Sequence, residues 1–236
     1  AGNSEVVDDK QTAEVLFRFL RLDLNILLLG LKNSYTNDEV KECLLTLVKK
    51  EIDRLDRYIP YLKTKNWIQA PPLYPYTNPE IKEPLAINEV YLLYDHLLYR
   101  YNNVHQTRNF AALTSDADFR ALLEVGIKIL EKEIKVLEDK ILYYGIKLPS
   151  PQPVNISSPE SQEILKDQFM FNVVFRGMQD AMVLHGTAIS EIVVNDELRK
   201  LFIDMTYEEL FMIDKMDKYG KLKVWATIVP SYRGGS

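Results

Sequence analysis

The side chains best placed to do chemistry in this sequence are two glutamates in otherwise apolar helical stripes, Glu51 and Glu209. Apolar residues around Glu209 recur at spacings of four and three, the pattern of a helix seam that packs against other helices. A carboxylate in such a seam is costly unless an opposite charge pairs with it. We expect Arg176 level with Glu209 on the preceding helix, and Arg18 level with Glu51. The spacing predicts two structural ion pairs, with ligand binding by these residues, or a seam that reaches solvent, as alternatives.

These two sets of charges are copies of one another, because the chain repeats itself. Residues 37–74 align without a gap onto residues 195–232, 158 positions later, and 11 of the 38 positions are identical. In the first copy the identical residues are Asn37, Asp38, Glu39, Glu51, Asp56, Tyr61, Lys63, Lys65, Trp67, Pro72 and Tyr74. Each copy is one packing unit whose apolar faces need neighbours.

Apolar periodicity and helix-ending residues predict six helices. They are expected at about 12–34, 38–65, 87–113, 116–144, 160–193 and 196–219. Proline-rich stretches at 69–84 and 148–161 have no such periodicity and read as a linker and a long crossover. We therefore predict an all-α chain. Residues 1–75 form a helical hairpin equivalent to half a bundle, and residues 76–236 form a ferritin-like up-down four-helix bundle with a long crossover.

Composition and charge argue against several classes of protein. A net charge of −5 and a pI near 5.4 disfavour a nucleic-acid binder, which needs a basic face. The longest apolar run, residues 26–29, is too short to span a bilayer, and no secretion signal is recognisable at the N-terminus. Cys43 is the single cysteine, so an internal disulfide is excluded and a reducing compartment is expected. We expect synthesis in the cytoplasm without export by a Sec signal.

Signatures of catalysis and of metal binding are absent from the sequence. It contains no P-loop, dinucleotide-binding glycine turn, nucleophile elbow or paired-cysteine zinc motif. A ferritin-like di-metal site needs Glu-x-x-His on two helices, but Leu93, Asn102 and Met182 stand three residues before the three histidines. We therefore expect no enzyme, no cofactor and no metal. The alternative is a bundle that holds a metal or a small ligand between its helices, with candidate ligands Glu131, Asp180, His185 and Glu209.

Several stretches of the chain resemble a known family. They are ALLEVGIKILEKEIKVLEDKILYYGIKLP at 121–149, KDQFMFNVVFRGMQDA at 166–181, and NDELRKLF at 195–202 followed by EELFMIDKMDKYG at 208–220. This pattern resembles an uncharacterised family of tandem ferritin-like four-helix proteins from spore-forming Bacillota, often labelled spore-coat-like and distantly similar to spore coat protein F. The proline-tyrosine endings of that family look like residues 70–74 and 229–232 here. Where some members carry a histidine on the second bundle helix, this sequence has Glu133, which weakens a metal site.

The apolar face of the N-terminal hairpin most constrains the function. Its seam consists of Leu16, Leu20, Leu24, Leu27, Leu31, Val40, Leu44, Leu47 and Leu55. Because such a face is too apolar to stay exposed, we expect two copies to pair through residues 12–65 as a homodimer or a higher assembly. The predicted function is a non-enzymatic structural or assembly protein. The resemblance implies a place in the spore coat or at the spore or cell surface, in a filament or beside other coat proteins. An adaptor that presents its tyrosine-rich surface to a different protein is the third possibility.

Overall fold

All regular secondary structure in the described part of the chain is helical. The computed structural model describes residues 9–75, 81–149 and 166–226. The helices are α1 (Asp9–Ser34), α2 (Asp38–Thr64), α3 (Ile87–Leu113), α4 (Ala117–Tyr143), α5 (Asp167–Glu191) and α6 (Asp196–Leu222). The predicted start of α5 near residue 160 lies outside the described residues. None of these six helices combines the length and the apolarity that a membrane crossing needs.

Local sequence explains where the helices begin. Asn37, Asp116 and Asn195 each accept a hydrogen bond from the backbone N–H three residues later, so α2, α4 and α6 start at side-chain caps. The start of α3 is tied to that of α6 by Glu89, whose carboxylate is fully buried. It accepts hydrogen bonds from the backbone N–H groups of Ala86, at 3.0 Å, and of residues 194 and 195. These caps therefore fix how neighbouring helices start relative to one another.

The helices pair into three hairpins that stack in three layers. The hairpins are α1–α2, α3–α4 and α5–α6, with α5–α6 in the middle. On one side α3 packs on α5 and α4 packs on α6, and this four-helix unit is the predicted ferritin-like bundle. On the other side α1 packs on α5 and α2 packs on α6. The N-terminal hairpin therefore folds back onto its own chain.

This packing buries one part of the predicted hairpin seam and leaves another part exposed. Leu24, Leu31 and Leu55 are fully buried in the core that α1–α2 shares with α5–α6. Leu16 and Val40 are each 46% exposed, because they lie on the side of the hairpin that no other layer in the described part of the chain covers. The expected need for a partner copy is therefore met in part inside the chain.

The contact between α2 and α6 has an approximate two-fold symmetry, because the two helices are repeats of one another. Lys41 Nζ lies 3.0 Å from Asp214 Oδ1. Arg199 is the repeat counterpart of Lys41, and its Nε lies 2.9 Å from Asp56 Oδ1. Asp56 is in turn the counterpart of Asp214. Each helix thus presents a buried cation to an aspartate of the other.

A second pair of contacts repeats the same symmetry at the helix ends. Lys221 Nζ lies 2.7 Å from Asp38 Oδ1, and Lys63 Nζ lies 2.9 Å from Asp196 Oδ2. Lys63 and Lys221 are counterparts, as are Asp38 and Asp196. Lysine and aspartate residues that recur unchanged in the two copies thus bind the copies to each other.

Charge burial in this interface is compensated by hydrogen bonds. The Lys41 side chain is 1% exposed, and its Nζ also lies 2.9 Å from Asp217 Oδ2. Burial acts to lower the pKa of Lys41, but hydrogen bonds to Asp217 and Asp214 outweigh it, so the pKa is raised above its ordinary value. Removing one partner of a buried pair costs about 3–5 kcal/mol, so a shifted register of α2 on α6 would be strongly disfavoured.

Gly186 makes the close approach of α1 to α5 possible. A Cβ atom at this position would lie 1.9 Å from Leu28 Cδ1, inside van der Waals contact. Leu28 is fully buried and has little room to move. At Gly177, on the same helix, a Cβ would meet nothing within 4 Å. One glycine of α5 is thus required by packing against α1, and the other is not.

Gly186→Ala should lower the free energy of unfolding by about 2 kcal/mol, because the added methyl group overpacks against Leu28. Gly177→Ala is the matched control and should be neutral or stabilising, because alanine favours the helix. Urea unfolding followed by circular dichroism measures both. In a Leu28→Ala background, Gly186→Ala should no longer destabilise. Equal effects of the two glycine substitutions in the wild-type background would contradict the packing of α1 on α5.

The ends of α2 and α6 share one backbone motif built from different residues. Asn66 and Val224 follow the two helices with φ of 55° and 58°, the left-handed region. The next residue closes each motif, since Trp67 N–H donates to Leu62 O and Trp225 N–H to Gly220 O. Asparagine tolerates this conformation, whereas a β-branched valine is strained in it.

Val224→Asn should therefore raise the free energy of unfolding by about 1 kcal/mol, because it relieves strain at a side chain that is 75% exposed and loses little packing. The reverse substitution in the first copy, Asn66→Val, should lower it by a similar amount. Thermal unfolding of the two variants beside the wild type measures these effects. A drop in stability for Val224→Asn would contradict the strained geometry.

Candidate functional site

A buried polar cluster lies in the middle of the α3–α6 bundle and draws on all four helices. His96 and Arg100 come from α3, Glu133 from α4, His185 from α5 and Glu209 from α6. The first four are at most 3% exposed, and the side chain of Glu209 is 10% exposed. Four-helix bundles build their functional sites from such inward-facing side chains. This cluster is therefore the first candidate site.

Arg100 is the centre of the cluster. Its Nε lies 2.7 Å from Glu133 Oε2, and its Nη2 lies 3.4 Å from Glu209 Oε2 and 2.7 Å from His185 Nε2. A guanidinium group only donates hydrogen bonds, so His185 accepts at Nε2 and carries its proton on Nδ1. The contact with Glu133 is an ion pair without the alignment of a hydrogen bond. One cation thus holds side chains from three other helices together.

The two histidines of the cluster are neutral near neutral pH. His96 Nδ1 donates to Leu92 O at 2.8 Å, and the rings of His96 and His185 stack with centroids 5.4 Å apart. Burial lowers the pKa of His96 to about 3 and lowers that of His185 well below its ordinary value. The charge of Arg100 adds to the effect at His185. Neither His96 Nε2 nor His185 Nδ1 has a hydrogen-bond partner among the described residues.

Glu133 is the group in the cluster that exchanges a proton near neutral pH. Burial raises the pKa of Glu133 to about 7, the charge of Arg100 opposes that rise, and the charge of Glu209 adds to it. Burial also raises the pKa of Glu209. Two carboxyl groups therefore share one guanidinium group. A carboxyl group with such a pKa can donate a proton to a neighbouring molecule or accept one from it.

A pocket of about 80 Å³ lies beside the cluster, with Arg100, Glu133 and Glu209 at one end. It lies along the bundle between two parts of the apolar core. One part includes Leu97 of α3 on the cluster side, and the other is built around Phe119 and neighbouring aromatic rings. On one side the polar cluster therefore faces a pocket instead of closely packed apolar side chains.

The structure pairs the predicted site residues differently from the expectation. Glu209 pairs with Arg100, and Glu51 Oε2 pairs with Arg54 on its own helix at 2.9 Å. Arg18 and Arg176 are exposed, and neither forms an ion pair with a described carboxylate. The physical reason is that Glu209 faces the α3–α4 layer, where α3 supplies a buried arginine, whereas Arg176 lies on the solvent side of α5.

The alternative set of ligands is not brought together either. Only His185 and Glu209 share a cluster, and Arg100 stands in contact with both. Glu131 pairs with Arg108 at 2.6 Å on the surface, and Asp180 pairs with Lys32. In the described ranges no three histidine, cysteine or acidic side chains are arranged to hold a metal ion.

His96, Arg100 and Glu133 are the functional candidates that the sequence patterns did not single out. The signal available was the spacing of His96 and Arg100, four residues apart on one helix face that also carries buried Leu93 and Leu97. A polar stripe inside an apolar helix face is costly, so it has to find partners on other helices. Which helices supply them depends on the packing.

A second candidate site is the outer face of the hairpin, meaning the side of α1–α2 that points away from α5–α6. It exposes apolar side chains to between 40 and 56% of their area: Val15, Leu16, Phe19, Leu22, Ile26, Leu29, Val40 and Leu47. The repeat counterparts of Val40 and Leu47 are Leu198 and Met205, which are buried in the core that α6 shares with α4. The outer face is thus the copy of a face that α3–α4 covers in the second repeat.

Glu51 also differs from its counterpart in the second copy in the partners that surround it. It is 3% exposed, and its Oε1 has no hydrogen-bond partner among the described residues. Its counterpart Glu209 receives Arg100 from α3. A buried carboxylate oxygen on the outer face is therefore left without the cation that the second copy supplies from another hairpin.

An aromatic cluster at the C-terminal ends of α2 and α6 is a third feature that differs between the two copies of the repeat. In the second copy Lys223 lies over the rings of Tyr219 and Trp225, and Tyr219 donates to Asp116 Oδ1 at 2.8 Å. Phe119 of α4 stacks on Tyr219. Phe119 of α4 and Asp116, the cap of α4, therefore cover this aromatic cluster.

In the first copy Lys65 lies over Tyr61 and Trp67 with the same geometry. Tyr61 nevertheless remains 45% exposed, and no described residue from another hairpin pairs with Lys65. The three features of the outer face all lack the partner that α3–α4 provides in the second copy.

Replacing Glu133 tests the electrostatics of the buried cluster. A carboxyl group with a folded pKa near 7 and an ordinary value of 4.5 adds stability that is fully present below pH 4.5 and is lost as the pH rises through 7. Glu133→Gln removes this dependence. The free energy of unfolding of the variant minus that of the wild type should rise by about 2–3 kcal/mol between pH 5 and pH 8, measured by urea unfolding. Glu131→Gln, at the surface of the same helix, is the control, and a pH-independent difference for Glu133→Gln would contradict a protonated native state.

Comparisons with known proteins agree with this fold. A candidate spore coat protein from Bacillus halodurans C-125 superimposes with a TM-score of 0.59 and 21% identity, covering 66% of this chain and 100% of that one. A two-domain protein from Anabaena variabilis ATCC 29413, with DJ-1/ThiJ/PfpI-like and ferritin-like domains, gives a TM-score of 0.51 and 12% identity over 77% of this chain and 53% of its own. No curated protein sequence matches the chain. Residues 77–231, which include all of α3 to α6, match the family described as protein of unknown function DUF3231, and the chain belongs to that family.

Proposed function

We propose that this protein is a non-enzymatic structural protein that associates with copies of itself through the outer face of α1–α2. The observation that carries this proposal is the contrast between the two repeats. Among the described residues, the same helix face is covered by a hairpin in one copy and uncovered in the other. A contiguous apolar surface of this kind marks an interaction site.

The exposed residues of α1 have the spacing of a helix–helix seam. Val15, Phe19, Leu22, Ile26 and Leu29 follow one another at intervals of four, three, four and three, as in the heptads of packed helices. Because other residues of α1 are buried against α5, this helix is apolar on two opposite sides. Each of the two apolar sides of such a helix needs a packing partner.

A second copy is the proposed occupant of the outer face. Two identical hairpins related by a two-fold axis would form a four-helix arrangement like the one α1–α2 already makes with its repeat, α5–α6. Arg54 is 61% exposed beside Glu51 on this face. A guanidinium group from the partner would bring a second positive charge close to the Glu51 carboxylate, in the place that Arg100 takes beside Glu209.

A role in the spore coat, or at the spore or cell surface, is the biological setting we propose. It is supported by the fold shared with the candidate spore coat protein of Bacillus halodurans. Other coat or surface proteins would be further partners. A structural role of this kind needs an assembly surface and no catalytic group.

Light scattering after size exclusion, over a dilution series, tests the self-association. The wild type should be a dimer or larger at micromolar concentration. Ile26→Glu places a charge in the centre of the stripe and should raise the dissociation constant at least about 100-fold, because burying an unpaired carboxylate is costly. Leu142→Glu on α4 is the matched control, since Leu142 and Ile26 are 55 and 54% exposed, and it should leave the assembly intact.

Circular dichroism should show the same helix content in both variants, because neither site is buried. A wild type that stays monomeric over the whole series would reject self-assembly. The occupant would then be a different chain with a hairpin of the α3–α4 type. Dissociation by Leu142→Glu, with Ile26→Glu unaffected, would place the interface elsewhere and would also reject the proposal.

A further inference from the structure

The four glycines within the helices of the bundle fall into two physical classes. A Cβ on Gly186 or Gly220 would lie 1.9 Å or 2.2 Å from a neighbouring side chain, so close packing requires glycine there. A Cβ on Gly126 or Gly177 would meet nothing within 4 Å, and both residues line the pocket beside the polar cluster. Glycine inside a helix costs about 0.5–1 kcal/mol relative to alanine. Since packing does not require these two glycines, their effect is to leave the pocket unfilled.

The side chains that line this pocket favour a small apolar ligand. All four helices of the bundle contribute, and the side walls include Leu130, Met178 and Met212. Methionine side chains adapt their shape to an occupant more readily than branched side chains. The pocket volume of about 80 Å³ is roughly half that of an engineered apolar cavity of about 150 Å³ that binds benzene, so a benzene-sized occupant needs the methionine side chains to shift. Polar residues also line the pocket, namely Asn103, Gln106, Thr107 and Glu208, but most of the lining surface is apolar, so an apolar occupant is favoured over water.

The polar end of the pocket selects the head group of the occupant. Arg100 Nε and Glu133 Oε2 form an ion pair without hydrogen-bond alignment, so both atoms retain capacity for a further hydrogen bond. A cationic head would be repelled by Arg100, and an anionic head would be repelled by whichever of Glu133 and Glu209 is ionised. An uncharged hydroxyl group can donate to the carboxylate and accept from the guanidinium group at the same time.

We propose that the pocket binds one small uncharged amphiphile, an apolar ring or short chain of about benzene size with a single hydroxyl group. The hydroxyl group contacts Glu133 and Arg100, and the apolar part fills the space along Gly126 and Gly177. This inference concerns the interior of the α3–α6 bundle. It does not depend on the self-association of α1–α2, which uses a different face of the molecule.

Phenol and benzene are a matched pair of probes for this site, because they differ only in the hydroxyl group. Isothermal titration calorimetry on the full chain measures affinity, and NMR of methyl-labelled methionines reports the location through Met178, Met212 and Met216. We expect phenol to bind at least about tenfold more tightly than benzene, because its hydroxyl group bonds to a charged partner. Shifts should be confined to these pocket methionines.

Three variants locate the binding. Gly177→Leu fills the pocket and should abolish binding of both probes, and Gly126→Leu serves the same purpose from α4 should the first variant not fold. Gly30→Ala, where a Cβ would make ordinary contact with Leu44 at 3.6 Å, is the control and should bind as the wild type does. Glu133→Gln should weaken phenol about fivefold and leave benzene unchanged.

Three results would overturn the proposal. The first is no binding of either probe to the wild type. The second is binding that survives Gly177→Leu, which would place the probe elsewhere. The third is equal affinity for phenol and benzene, which would remove the role of the polar end. The oligomeric state, measured in parallel by light scattering, tests self-association independently. A failure of ligand binding can therefore be distinguished from a failure of the assembly proposal.

Discussion

Both faces of the α5–α6 hairpin must be buried, and the other layers are arranged around that requirement. On one face α3–α4 completes the bundle, and on the other α1–α2 supplies a second apolar layer. A helix covered on two sides has little surface left for solvent, so charges on the covered sides need partners on neighbouring helices. Arg199 and Asp217 on α6, each 1% exposed, find theirs on α2. The ion pairs therefore follow from the position of the middle layer.

The internal repeat acts as a dimer joined within one chain. Two copies of one hairpin meet about an approximate two-fold axis, and a residue that pairs across such an interface is matched by an equivalent residue in the other copy. Asp56 with Asp214, and Lys63 with Lys221, satisfy this condition. The other side of each copy faces a different environment. It meets α3–α4 in the second repeat and is open in the first, which is why the outer face carries apolar residues and a carboxylate oxygen without their partners.

The buried cluster and the pocket beside it lower the stability of the bundle. Ion pairs in a core are seldom more stable than apolar residues of the same volume, and mid-helix glycines and an unfilled space are unfavourable as well. These features occur together at one level of the bundle, around Arg100, Glu133 and Gly177. Strained or costly features that cluster in this way are typical of sites that do more than hold a fold together.

Much of the fold could be predicted from the sequence, and the pairing of its charges could not. Apolar periodicity and capping residues such as Asn37 and Asn195 depend on neighbours within about one turn, so helices and the four-helix bundle were predictable. The prediction of Arg176–Glu209 was wrong, because it assumed that charges at the same level of adjacent helices must meet. The rotation of each helix about its own axis decides which neighbour a side chain faces.

The sequence by itself determined an all-helical chain, its repeat and its long apolar stripes, because these depend on residue types at fixed spacing. Only the tertiary structure decided that α1–α2 folds back onto α5–α6, that Arg100 holds the centre of the bundle, and that Gly126 and Gly177 face a pocket whereas Gly186 faces Leu28. The physical reason is that each of these outcomes depends on the distance between residues far apart in the chain. Such distances are set when whole helices pack together, and local spacing does not record them.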